Sequence, residues 1–161
     1  MVVGPGSASV NVQIREATLA DAEPIWQLHN RSILALCADD YSPAQLADWV
    51  AHSTLARQQT RLQQHRVFVA EQEGQLIGFV RWNPATNELC SLFVDPDFVR
   101  QGVATALMDT ACQDARACGV TEFWLDASLT AVPFYQATGW QPGKPMTHHG
   151  LACLRMTKQL G

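Results

Sequence analysis

Residue types first point to chemistry in the run Leu92-Phe93-Val94-Asp95-Pro96-Asp97-Phe98-Val99-Arg100-Gln101-Gly102-Val103-Ala104-Thr105-Ala106-Leu107. An apolar strand ends at Val94, a proline turn follows, and a helix begins around a glycine. The first amides of a helix have no internal partners and together carry about half a positive charge. Gly102 lets a ligand approach the backbone, and the small Ala104 keeps the next turn clear. The stretch from Arg100 to Thr105, with Gln101, Gly102, Val103 and Ala104 between, is therefore an anion site that a pyrophosphate fits. The same strand–glycine–helix order also describes turns that bind nothing. His148 and His149 fall in a turn between the last two strands, where a group titrating near neutral pH can relay a proton or simply face solvent. His29, His52 and His65 show no ligand spacing and read as surface residues, and no metal site is expected.

The elements that position this segment follow from periodicity. Residues 10–15 alternate as a half-buried strand. Thr18 caps a helix carrying Ile25, Leu28, Ile33 and Leu36, and Pro43 opens a second with Leu46, Trp49 and Val50 on one face. Residues 55–65 are rich in Gln and Arg and poor in apolar spacing, which reads as a solvated helix end or loop. Three short strands then turn back on one another, at 67–70, 75–82 and 87–94. Val103, Leu107, Ala111, Ala115 and Cys118 recur at helical spacing and Gly119 closes that helix. A strand at 122–127, a short helix at 131–138 ending on Gly139, and strands at 139–147 and 150–158 complete the order β-α-α-β-β-β-α-β-α-β-β. This is an α/β (α+β) chain with a central mixed sheet and helices on both faces.

At 161 residues, with 47% apolar and 16% charged, the chain can bury one core without staples. The expected organisation is an N-terminal arm over 1–10, rich in Gly, Pro and Ser, and a single domain over 11–161. A net charge of −4 with no basic stripe argues against nucleic acid. There is no apolar run long enough to span a membrane and no signal-peptide pattern, so a cytoplasmic setting is expected. The odd set Cys37, Cys90, Cys112, Cys118 and Cys153 lacks a CxxC pair and reads as reduced thiols, with Cys112 and Cys118 as packing residues.

The sequence closely resembles the GNAT (N-acetyltransferase) superfamily over about residues 12–158. Its coenzyme signature, a hydrophobic pair, Val-x-Pro, a short turn and then Gln/Arg-x-x-Gly-x-Gly/Ala, is matched by Leu92-Phe93-Val94-Asp95-Pro96 with Gly102 and Ala104. A second motif, aromatic-Tyr-x-x-x-Gly-aromatic, stands as Phe134-Tyr135-Gln136-Ala137-Thr138-Gly139-Trp140. One position departs: Val99 stands where the family has Gln or Arg, which implies coenzyme binding weakened rather than lost.

The resemblance implies an acetyl-CoA-dependent N-acetyltransferase, with acetyl-CoA as cosubstrate, no metal, and a small-molecule or peptide amine as acceptor. A homodimer stays open. Backbone groups of Leu92, Phe93 and Val94 would pair with the pantetheine amides as an added strand does. Tyr135 would be the general acid that returns a proton to the thiolate, the alternative being a core aromatic. An acceptor amine of pKa about 10.4 costs roughly 4.6 kcal/mol to neutralise at pH 7, so a base is expected. Glu88 is the first candidate, because relatives carry an acid near the start of this strand, although some place it where Cys90 stands. The alternatives are His148, His149 or water. Trp26, His29, Asn30, Tyr41 and Trp49 come from the helices that wall the acceptor pocket in the family, with plain helix packing as the other reading of Trp26 and Trp49. The competing functions are a non-catalytic acyl-CoA-binding or regulatory module, and transfer with another acyl donor or a hydroxyl acceptor.

Overall fold

The computed structural model describes residues 12–99 and 101–161, so the expected arm over 1–10 and Arg100 lie outside the described residues. Seven strands form one sheet in the order β1-β2-β3-β4-β5-β7-β6. They are β1 (Val12–Glu16), β2 (Arg66–Gln72), β3 (Gln75–Asn83), β4 (Glu88–Val94), β5 (Glu122–Ser128), β6 (Gln141–His148) and β7 (Leu151–Gln159). All neighbours are antiparallel except β4 and β5, which are parallel and register at a single pair, Glu88 with Trp124.

One face of the sheet carries α4 (Val103–Ala117), whose buried stripe of Val103, Leu107, Met108, Ala111, Cys112 and Ala115 has the spacing read from sequence. It packs on Ile77, Val80, Trp82, Leu89 and Val94. Gly78 makes that approach close: a Cβ there would lie 2.9 Å from Leu107 Cδ1 and 3.1 Å from the Phe93 carbonyl. The opposite face carries α1 (Ala22–Leu36), where Ile25 and Leu28 meet Val67, Val69 and Phe79. Next come α2 (Pro43–Ala51), opened by a Ser42/Gln45 capping box, and α3 (Leu55–Gln64). The short α5 (Val132–Ala137) precedes β6.

Several expectations need correction. Residues 55–64 form a full helix of their own rather than a helix end or loop. Thr54 caps it, accepting from the Arg57 amide at 3.2 Å, and the buried Gln58 amide reaches Ser53 Oγ at 3.4 Å. Leu62 packs beside the α1 cluster, so a narrow docking stripe suffices where most of the surface is polar. Thr18 with Asp21 forms a capping box on a single 3-10 turn, Leu19–Asp21, and α1 starts after it. Cys112 is buried as expected, but Cys118 is the exposed C-cap of α4. His29 is buried, its ring 4.7 Å from that of Phe93, where the surface was expected. No helix among the described residues is long and apolar enough to cross a membrane.

Candidate active site

Because β4 and β5 pair only at Glu88–Trp124, they diverge beyond it, and the gap is a cavity of about 240 Å³. Residues 89–94 of β4 form one wall and 125–128 of β5 the other, with Val99, Ala104, Thr130, Phe134 and Tyr135 among the remaining lining. The β5-facing edge of β4 here has no strand partner, so its backbone is open to an extended ligand. Ser32 Oγ, from α1, already donates to the Val94 carbonyl at 3.1 Å.

At one end the cavity meets the start of α4. Gly102 caps that helix with φ +80°, and the first helical bond runs from the Ala106 amide to the Gly102 carbonyl, leaving the amides of Val103, Ala104 and Thr105 free of that ladder. A Cβ on Gly102 would meet nothing within 4 Å among the described residues, so the cap itself is uncrowded. The preceding turn is fixed by Asp95: it is buried, ion-paired to Arg31, and accepts from the Asp97 amide at 2.9 Å. Gly102 therefore acts as a left-handed cap as well as leaving room for a ligand.

Tyr135 also lines the cavity, 7% exposed, between the edges of Phe134 and Trp140 with ring centroids 5.3 and 5.6 Å away. Burial alone, with no hydrogen bond contributing, pushes its phenol well above the usual tyrosine range, so the hydroxyl keeps its proton. Tyr135, Leu92, Phe93, Val94 and Ala104 thus line one cavity, while Gln101, Gly102, Val103 and Thr105 belong to the helix start beside it.

Glu88 does not line this cavity; it sits at the closed end of the divergence. A bulge leaves Cys90 as the extra residue, since Arg81 faces Ser91 while Trp82 faces Leu89. Simple alternation would put Glu88, Cys90, Leu92 and Val94 on one face, and the bulge breaks it. Leu89, Leu92 and Val94 pack toward α4, whereas Phe93 packs toward α1. Burial, and then the nearby charge of Asp126, push the Glu88 carboxyl up. Cys90 lines the cavity, and burial raises its thiol to about 11.

A second cavity of about 160 Å³ shares Trp49, Asp126 and Ser128 with the first, and adds Tyr41, His52, His148 and His149. Asp126 was not singled out from the sequence. It accepts from Arg155 Nε and Nη2 at 2.6 and 2.9 Å and lies 2.6 Å from His148 Nε2; Arg155 first, and then His148, hold its carboxyl low. The signal was a charge inside an apolar strand, in Trp124-Leu125-Asp126-Ala127. The His149 ring lies 4.8 Å from that of His52. Tyr41 donates to the Ala152 carbonyl and accepts from the Leu129 amide, both at 2.8 Å, and Trp26 Nε1 donates to the Ser53 carbonyl at 2.7 Å. Tyr41 and Trp26 brace the helices, whereas Trp49 reaches both cavities.

Residues 37–160 match the family described as the acetyltransferase (GNAT) domain. An uncharacterized N-acetyltransferase, YafP of Escherichia coli (strain K12), is 31% identical over 134 residues, which is 83% of this chain and 84% of YafP. The GCN5-related N-acetyltransferase structure from Rhodopseudomonas palustris superposes with a TM-score of 0.86 at 31% identity, covering 91% of this chain and 94% of that one. The PaiA N-acetyltransferase from Thermoplasma acidophilum, solved in complex with coenzyme A, has the same fold, with a TM-score of 0.81 at 19% identity over 92% of this chain and 98% of its own. A parallel pair that parts beside a glycine-capped helix, together with these likenesses, makes the chain a member of the GNAT acetyltransferase family.

Proposed function

We propose that this protein moves an acetyl group from acetyl-CoA to an amine by direct attack, inside the gap between β4 and β5. The observation that carries the reading is the continuity of one cavity from Tyr135 to the start of α4. The pyrophosphate lies against the amides from Gln101 to Thr105, and the pantetheine pairs with the free edge of Leu92, Phe93 and Val94. The acetyl thioester then reaches the Tyr135 end, where a backbone amide near Leu92-Phe93 polarises its carbonyl oxygen.

Holding amine and thioester together contributes roughly 7–11 kcal/mol. The amine nitrogen forms a bond to the carbonyl carbon, the tetrahedral intermediate collapses, and the C–S bond breaks with its electrons on sulfur. Tyr135 gives that sulfur its proton. The raised phenol pKa alone would hinder this transfer, but the thiolate leaves in the same desolvated space, and burial raises a thiol as it raises a phenol.

An acyl-cysteine route through Cys90 is disfavoured by the thiol value near 11, which leaves only about one part in ten thousand as thiolate at pH 7. Glu88, which stands outside the cavity lining, takes the amine's proton through a water in this reading, its raised carboxyl being the better matched base for that environment. A second assignment has its own observation: His148, bonded to Asp126, lines the cavity that opens onto the first. The test is thiol release from acetyl-CoA in the presence of amines, peptides and aminoglycosides. Amine-dependent release is expected, and binding of acetyl-CoA without release for any acceptor would instead make the chain a non-catalytic coenzyme-binding module.

A further inference from the structure

The second cavity is chemically one-sided. Away from the first cavity its walls are Tyr41, Leu151, Ala152 and Cys153, with Trp49 shared between the two. Tyr41 and Trp49 meet edge to face, ring centroids 5.6 Å apart. The Tyr41 hydroxyl is committed to the Ala152 carbonyl and the Leu129 amide, so the residue offers a ligand its ring. Burial raises the Cys153 thiol, which therefore stays protonated and behaves as a small apolar group. His52, His148 and His149 are exposed and so stand at the mouth. Other polar side chains occur only where the cavities join: Asp126 and Ser128 line both.

Charge narrows the occupant further. Among the described residues no Lys or Arg lines either cavity. Arg155 reaches Asp126 without lining them, and the buried Arg81 bonds Ser91 Oγ at 3.1 Å from outside both linings. A carboxylate or phosphate taken into the second cavity would lose water and find no fixed cation, which is costly. Asp126 is the one Asp or Glu in these linings, and Arg155 and His148 already bond both its oxygens. A polyamine would therefore find acid for a single nitrogen at most. In size, an apolar cavity of about 150 Å³ takes a benzene ring, and this one has about 160 Å³.

We propose that the acceptor is a monoamine with an uncharged aromatic ring on a short alkyl arm: its nitrogen stops at Asp126 and Ser128, and its ring enters the second cavity against Trp49, Tyr41 and Leu151. The amine rests on the transferase reading, whereas the ring site stands on the lining of the second cavity. A carboxylate beside the nitrogen would face Asp126, so an amino acid with the same ring is the poorer ligand.

The experiment is calorimetry on the CoA-saturated protein at pH 8, where histidine side chains are ordinarily neutral. N-acetylphenylethylamine, N-ethylacetamide and N-acetylphenylalanine probe the product side without turnover. The first should bind at least about tenfold more tightly than either of the others, the worth of burying a ring against a desolvated charge or a methyl group. Cys153 lies in the second lining but in none of the packed core clusters, so Cys153→Leu adds bulk to the cavity. That variant should bring the phenylethyl compound down to the level of N-ethylacetamide with CoA affinity and melting temperature nearly unchanged, and Cys153→Val should do so in part. Undetectable binding of the phenylethyl compound, equal binding of it and either companion, or a preference that survives Cys153→Leu overturns the proposal. The ranking in the parent protein decides alone if Cys153→Leu does not fold. Ring-selective binding by a protein that acetylates no amine would sink the transferase reading and leave the ring site standing. Acetylation of phenylethylamine and ethylamine with equal kcat/KM would do the reverse.

Discussion

In the proposed reaction Tyr135 is the side chain on which the chemistry most depends, and its surroundings make the test clean. Tyr135→Phe keeps the ring between Phe134 and Trp140 and removes a hydroxyl that no hydrogen bond holds, so folding should hardly change. General acid catalysis is worth about 10²–10⁴ in rate, so kcat should fall within that range while coenzyme affinity stays within a few-fold; an unchanged kcat with chemistry rate-limiting would return Tyr135 to the core. The base is decided by pH profiles of Glu88→Gln and His148→Gln. A base works ionised or neutral-His, so activity should fall as pH drops, and the raised Glu88 carboxyl places its limb above the ordinary glutamate range. Loss of that limb in Glu88→Gln, and its persistence in His148→Gln, is expected; the opposite pattern moves the role to His148. His29 gives a stability test. It stays neutral to about 4 in the fold against 6.5 for the free side chain, chiefly through burial. The unfolded chain therefore binds a proton that the native one refuses between those values, so stability is lost as pH falls from 6.5 toward 4, by up to roughly 3 kcal/mol. Denaturant unfolding of His29→Phe should show a shallower loss, and an identical pH dependence would show that His29 is not responsible. Of these residues, Tyr135 was legible because a motif marks it. His29 and Arg81 were not, because burial of a polar side chain depends on strands distant in sequence.

At the scale of elements, the divergence of β4 and β5 creates the site, and its cause is local to the two strands. Their single register pair leaves the upper halves without ladder bonds, and the bulge at Cys90 turns the rest of β4 out of simple alternation. Strand existence was readable from apolar runs, but neither the bulge nor the parallel pairing was, since both depend on partners brought in by the crossover through α4. The start of α4 was readable because Gly102 and Ala104 fall on the family's coenzyme signature and helical spacing follows them, where the strand–glycine–helix order alone would not have sufficed. Its left-handed φ of +80° changes the design of a test, since Val there would strain the cap as well as block a ligand. Gly102→Asn separates the two, because Asn tolerates this backbone region. The variant should fold to within about 1 kcal/mol of the parent and bind acetyl-CoA at least about tenfold more weakly, the side chain occupying the open space at the cap where the proposed phosphate site lies. Equal affinity by calorimetry would place the phosphates elsewhere.

For the whole molecule, the order of elements and a mixed sheet with helices on both faces were anticipated, whereas the strand order in the sheet was not, and α3 was missed as a full helix because its polar sequence hides a narrow apolar seam. The acceptor was not legible, because the two cavities are lined from α1, α2, β4, β5 and the β6–β7 turn rather than from one motif. In the proposed reaction acetyl passes straight from sulfur to nitrogen, although a thiol, Cys90, lines the same cavity. Mass spectrometry of a single turnover, with protein in excess over acetyl-CoA and an accepted amine present, measures this most directly. The expected result is acetyl on the amine in step with free CoA thiol and a protein of unchanged mass at every time point. Acetyl carried on Cys90 before it reaches the amine, or thiol released with no acetylated amine, would contradict direct transfer.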